Sequence, residues 1–186
     1  MKKAGKAVPS LIKVMKSDEY PIKNRWLATF MLGRIMGKKA SAFLSKFTAH
    51  PHWMMRLAAL KTLLALGEDR LTNFYPQLLK DDSLLVKSQA LENISHLKLY
   101  KFTPQIARML VDKANYHKTK KGLQRSHLIG KVIKTLGDLK YEKGRKSFNK
   151  MMLDPEYNDI HAELHYALSK FSAKDNIKEL KVSQNN

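Results

Sequence analysis

One stretch of this chain repeats a ligand-type side chain at helical spacing: "HAELH", with His161 and His165 at i, i+4. Imidazoles so spaced share a helix face and could fill two positions around a metal ion. The acid, Glu163, stands third rather than second, so this is not the H-E-x-x-H arrangement, and no third ligand is indicated. A half-buried or surface histidine pair is the favoured reading, and no metal or other cofactor is expected. The chain has no cysteine, which excludes disulfides, thiolate ligands and cysteine nucleophiles. It also lacks G-x-S-x-G, P-loop and dinucleotide fingerprints. A non-catalytic protein is the expectation.

The chemistry that is plentiful is cationic. Thirty-five Lys and Arg stand against 16 Asp and Glu, a formal charge of +19 over 186 residues. Such an excess favours anionic partners: an acidic protein surface, nucleic acid or lipid headgroups. The cations concentrate in two places. One is the segment "VDKANYHKTKKGLQR" (111–125), with Lys113, Tyr116, His117, Lys118, Lys120, Lys121 and Arg125 against the single acid Asp112. Lysines beside an aromatic ring and an imidazole suit phosphate contact with optional base stacking. The other is a series of short basic stretches: Lys2, Lys3 and Lys6; Arg34, Lys38 and Lys39; Lys98 and Lys101; Lys140, Lys143, Arg145 and Lys146. "GEDR" (67–70) interrupts the series.

These groups need elements to position them, and a repeat supplies those. Arg25, Arg56 and Lys87 step by 31 residues, as do Ala28, Ala59 and Ala90; Leu32, Leu63 and Ile94; and Ile35, Leu66 and Leu97. A second apolar pattern lies upstream of each: Ala40, Leu71 and Phe102; Leu44, Tyr75 and Ile106; Phe47, Leu78 and Met109. Spacings of i, i+4, i+7 mark one face of a helix. Each unit is therefore two amphipathic helices, A then B, joined by a turn. "AVPSLIKVM" supplies an A helix before the first B pattern, and Phe148, Met151, Met152 with Leu164, Leu168, Phe171 restate a final pair. Five pairs follow, over about 5–37, 38–68, 69–99, 100–138 and 139–172, in one domain spanning 1–175 with a tail at 176–186; the stretch after Phe171, "SAKDNIKELKVSQNN", could add a half-helix cap.

The punctuation agrees. Pro9, Pro76 and Pro104 fall near the starts of A helices, where a missing N–H costs nothing. Asp, Ser and Asn in the A-to-B turns are available as caps, and B helices are expected to end near Gly37, Gly67 and Gly137. No sustained two-residue alternation occurs, so essentially no sheet is expected. Trp26 and Trp53, near B-helix starts, read as packing more than as a ligand grip.

At this point the sequence resembles the HEAT and HEAT-like repeats, especially their short bacterial forms. The matching residues are "AGKAVPSLIKVM" (Ala4–Met15) and the R-x-x-A-x-x-x-L series of Arg25/Ala28/Leu32 and Arg56/Ala59/Leu63. The resemblance runs nearly to Phe171 and thins after the third unit, where Ser126 and His161 replace the cation and Ile129 and Leu164 the alanine. It implies an all-α solenoid that binds something on a curved surface. It also implies that Arg25, Arg56 and Lys87 pair with acids of neighbouring turns, with Asp18, Asp81 and Asp82 close by.

In a solenoid, equivalent loops stack along one edge, so the basic stretches between B and A helices should form a basic rim. The insertion at 111–125, between the fourth A and B helices, is the segment expected to touch a partner. The leading expectation is a scaffold module engaging an acidic macromolecule, protein slightly ahead of nucleic acid. The alternative is a HEAT-like DNA glycosylase acting on alkylated bases, which would need a carboxylate among aromatic rings; Glu92 and Glu163 are the visible acids on B helices. Tetrapyrrole lyases resemble the pattern equally, with nothing to support that chemistry. No run of about 20 apolar residues could cross a membrane. The cytoplasm is the favoured compartment, with a mature exported form left open, as are oligomeric state and whether residue 1 is the natural start. The first repeat, opening on "KKAGK", is expected to expose apolar surface unless something covers it.

Overall fold

A computed structural model describes residues 6–119, 122–125 and 127–171, with only the backbone of 117–119 and 122–125. Lys2, Lys3, Lys120, Lys121, Ser126 and the tail at 176–186 lie outside the described residues. The chain divides into two units, Met1–Leu99 and Tyr100–Asn186.

The first unit holds three helix pairs. They are α1 (Val8–Lys16) with α2 (Ile22–Met36), α3 (Ser41–Lys46) with α4 (Trp53–Ala65), and α5 (Tyr75–Leu78) with α6 (Leu84–His96). The A helices are shorter than their apolar patterns. Ala40 and Phe47 lie in 3-10 turns flanking α3, and Leu71 precedes α5 altogether. All the same, Ala40, Leu44, Phe47, Tyr75 and Leu78 are buried. A tighter 3-10 turn still brings residues three apart to the same side. The repeat alanines Ala28, Ala59 and Ala90 and the positions Leu32, Leu63 and Ile94 are buried as their spacing predicts. Met15, Leu32, Leu44, Met55 and Leu63 share one apolar cluster with Val8, Leu11 and Ile12 packed on it.

B helices of this unit lie side by side, α2 on α4 and α4 on α6. Their approach is close because small or self-satisfied residues face the seam. A Cβ on Gly33 would stand 2.3 Å from Thr62 Cγ2. The Thr62 hydroxyl donates to the Ala58 carbonyl at 2.8 Å, so it adds no unpaired donor to the interior. At the next seam Asn93 Nδ2 donates to the Leu60 carbonyl at 2.8 Å, and Gln89 Nε2 donates to Asn93 Oδ1 at 2.9 Å. Burial pushes the Tyr75 phenol up to about 12; a bond with the Asn93 side chain opposes the shift and the Glu68 charge adds to it. That phenol stays neutral and serves packing.

The second unit holds α7 (Thr103–Arg108) with α8 (His127–Asp138), and α9 (Arg145–Met152) with α10 (His161–Ser169). α8 packs on α10, and a Cβ on Gly137 would meet the Ala167 Cα at 2.6 Å. Between α7 and α8 the insertion forms a hairpin, β1 (Tyr116–Thr119) antiparallel to β2 (Gly122–Arg125), in the register Tyr116↔Arg125 and His117↔Gln124. The fold class remains all-α, with this hairpin as the one departure among the described residues. Neither strand alternates apolar with polar, so no signal announced it.

Helix ends follow backbone rules more closely than the expected residue types. Pro9, Pro76 and Pro104 do sit in first turns. The side chain that caps α4 is His52, which accepts from the Met54 N–H at 3.2 Å; Ser83 makes no side-chain cap on α6. Gly67, Lys98 and Lys140 take positive φ (60°, 53°, 52°). Each ends its helix with the same pair of bonds, for example Glu68 N–H to Leu63 O and Gly67 N–H to Leu64 O. The fourth B helix ends at Asp138, near Gly137 as the sequence predicts, but the glycine is not the residue that makes the turn. It lies inside α8 because Ala167 needs its missing side chain, and Lys140 makes the turn instead.

Candidate interaction surface

The cation ladder is structural. Arg25 is buried, pairs with Asp18, donates from Nε to the Met15 carbonyl at 3.1 Å and faces His50 Nε2 at 3.0 Å. Arg56 binds Asp81 through both nitrogens, Nε–Oδ2 at 2.7 Å and Nη2–Oδ1 at 2.8 Å. It also donates to the His50 and Pro51 carbonyls at 2.8 and 2.7 Å. Each arginine thus fastens its own turn to the turn one repeat on, since His50 and Asp81 are themselves 31 residues apart. The third cation, Lys87, is buried.

At the first of these clamps the partner is an imidazole, whose Nδ1 accepts from the His52 N–H at 3.0 Å. Burial, then the Arg25 charge, hold the His50 pKa below its ordinary value. A neutral ring has a single lone-pair nitrogen, and a protonated one would set a second cation against Arg25.

Most of the basic loop residues are exposed. In the first unit Lys38 and Lys39 lie on the turn Gly37–Ala40 and Lys98 follows α6. Lys38 Nζ donates to the Gly67 carbonyl at 3.0 Å, linking successive loops. It also adds to the groups around Glu68: burial opposes that charge, but the Ser41 hydroxyl, the N–H groups of Arg70 and Leu71 and the lysine hold its carboxyl below the usual range. Of the interruption "GEDR", Glu68 is thereby absorbed into the structure, while Asp69 and Arg70 are exposed. In the second unit Lys101, Lys143 and Lys146 are exposed, with Lys101 Nζ 5.1 Å from the Phe102 ring centroid.

Arg145 is a correction to the expected rim. It is 7% exposed, bonds Glu142 Oε2 at 2.8 Å and sits 5.4 Å from the centre of the Phe171 ring. Charge counting cannot distinguish such a residue from its neighbours, because the ring that covers it comes from 26 positions on.

In the insertion, Lys113 is exposed on the turn Lys113–Asn115 that Asp112 caps. Tyr116 is half-buried, and its hydroxyl donates to the Leu110 carbonyl at 2.5 Å, so it anchors the hairpin rather than offering a stacking platform. His117, Lys118 and Arg125 lie on the strands; Lys120 and Lys121 fall outside the described residues. On α10 His161 is half-buried and His165 exposed. Glu92 is exposed on α6, and Glu163 packs against Gly130, 3.2 Å from where a Cβ would stand.

Sequence reasoning missed an apolar surface. Trp53, Leu84 and Leu85 are exposed at the starts of α4 and α6, and Met54 and Leu57 are half-buried beside them. Trp53 and Leu84 are repeat equivalents, as are Met54 and Leu85, so they neighbour one another along the array. Lys23 holds the same register position on α2, and Lys61 lies one helical turn beyond Leu57. A signal was available at the starts of the second and third B patterns, where Trp53, Met54 and Met55 and then Leu84, Leu85 and Val86 run three together instead of keeping to one stripe. Trp26, by contrast, packs edge-on to Phe30 at 4.6 Å.

Residues 8–95, just under half of the chain, match the family model described as HEAT repeats. This part of the chain is a HEAT-repeat array. No curated protein and no solved structure matches. HEAT repeats generally mediate protein interactions and scaffolding, and their family is typically non-enzymatic. Among the described residues no helix is long and apolar enough to cross a membrane.

Proposed function

We propose that this chain is a non-catalytic scaffold module whose first unit binds an acidic segment of a partner protein. The observation that carries the reading is the exposure of Trp53, Leu84 and Leu85 at the starts of α4 and α6, with an exposed cation, Lys23, at the equivalent position of α2. A phosphate backbone has no use for leucine side chains, whereas a protein segment with apolar anchors and flanking carboxylates uses both halves of this surface. The exposed lysines at 38, 39 and 98 raise the encounter rate of such a partner more than its affinity. For a glycosylase, Glu92 stands exposed and Glu163 packs against Gly130, which favours binding over catalysis.

The test is a salt series of fluorescence-anisotropy titrations with labelled single- and double-stranded DNA and RNA and with an acidic, proline-containing peptide that carries apolar anchors and cannot lie down as a helix. The expectation is peptide binding that weakens about tenfold in Trp53→Ser/Leu85→Ser, a loss of about 1.4 kcal/mol. Nucleic acid should bind more weakly, with a slope near −0.9 per phosphate contacted and no response to that variant. Tighter binding of nucleic acid than of peptide at about 0.15 M salt would refute the reading and make the hairpin at 116–125 the next segment to mutate.

A further inference from the structure

α2 carries a second apolar surface that the outward cluster does not include. In α4 the positions Met55, Ala58 and Thr62 are 0, 0 and 3% exposed, and in α6 Val86, Gln89 and Asn93 are 0, 6 and 0% exposed. Two of these residues meet the preceding B helix directly: Thr62 meets Gly33 of α2, and Asn93 bonds Leu60 of α4. The matching positions on α2 are Asn24, Leu27 and Met31. Asn24 is exposed, and Leu27 and Met31 are 52% and 43% exposed. The leading face of α2 is thus built to the pattern of a helix seat and stands open.

Its flanks say what would fill it. Lys23, Leu27, Met31 and Arg34 follow one another at i, i+4, i+8 and i+11, so a cation stands at each end of the apolar pair. Both cations are exposed. The nearest acid in sequence beyond Glu19, Asp18, is already bound to Arg25. A second copy presenting the same face would set Lys23 and Arg34 against their own kind, an arrangement that like charge disfavours.

We propose that the leading face of α2 seats an acidic amphipathic helix of a partner protein, laid beside α2 as α2 lies beside α4. This rests on the reading of the chain as a binder of acidic protein, but assigns a different surface from the Trp53 cluster. The partner helix would place small or apolar side chains over Leu27 and Met31 and carboxylates over Lys23 and Arg34.

The probe is a labelled peptide with the sequence Ile22–Met36 carrying Lys23→Glu, Arg25→Glu and Arg34→Glu. The parent helix already offers Gly33 as a seam residue to its neighbour, and these are its only charged residues. The acidic peptide should bind the full chain at least about tenfold more tightly than the unsubstituted one. Leu27→Glu/Met31→Glu should weaken it by about tenfold or more, while Trp53→Ser/Leu85→Ser leaves it unchanged. Both pairs change exposed side chains, and circular dichroism checks that each variant keeps its helices. Equal affinity for the two peptides, no binding, or binding indifferent to Leu27 and Met31 overturns the proposal. Loss in the Trp53/Leu85 variant alone overturns this seat and leaves the broader reading standing. Sedimentation showing a dimer that Leu27→Glu dissolves would make a second copy the occupant and overturn it too.

Discussion

Replacing Arg56 by Met removes the clamp between the second and third repeats and keeps most of the side-chain stem. Four hydrogen bonds go: two to Asp81 and one each to the His50 and Pro51 carbonyls. The Asp81 side chain is 7% exposed and would keep the Ser83 N–H at 2.9 Å. Breaking a buried pair by removing one partner costs about 3–5 kcal/mol. Arg56 is 15% exposed and lies at a turn, which puts the expectation at the low end, about 3 kcal/mol. Arg25→Met is the internal comparison. Its carboxylate partner Asp18 is 92% exposed and adds little, so the loss should be smaller, about 1–2 kcal/mol, set by the buried Met15 carbonyl that loses its donor. Urea unfolding followed by tryptophan fluorescence reads both, since Trp26 and Trp53 lie in the first unit. Asp81→Asn completes a double-mutant cycle in which a coupling of about 2 kcal/mol is expected. Equal costs for Arg56→Met and Arg25→Met, or a coupling near zero, would refute the view that a desolvated carboxylate decides the strength of the repeat clamp.

Two further outcomes follow from the same geometry. His50 has a folded pKa below its ordinary value of 6.5, so the unfolded chain binds more protons and stability rises with pH through that window. It should be complete above about pH 7.5 and fall as the pH drops through 6.5 toward the folded value; urea midpoints across that range would show it. His50→Asp supplies Arg25 with the acceptor that Arg56 has and should abolish this slope, and a slope that persists would place its source elsewhere. In the second unit Gly137→Ala should cost about 2–3 kcal/mol, because the new methyl would stand 2.6 Å from the Ala167 backbone and force α8 and α10 apart. A melting temperature unchanged by Gly137→Ala would contradict that close approach; a fall of about 4–12 °C would agree with it.

What the sequence by itself determined is whatever depends on residues within one helix of each other. Ala28, Leu32 and Arg25 share a face at any sequence context, and their recurrence at 31 residues specifies paired helices and the positions of the exposed loop lysines. Which side chains remain available was decided between elements. Arg145 reads in sequence like Lys143 and Lys146, yet Glu142 and the Phe171 ring remove it from solvent. Gly137 reads as a stop, yet Ala167 makes it a contact point. The hairpin carries no alternation to announce it, because strands paired in so short a hairpin need no buried face of their own. Leu27 and Ala58 hold the same repeat position, yet Ala58 is buried where α4 packs on α2 and Leu27 is 52% exposed. Periodicity fixes the direction of a side chain relative to its own helix axis, whereas burial depends on what stands across the gap, and that is a property of the tertiary structure.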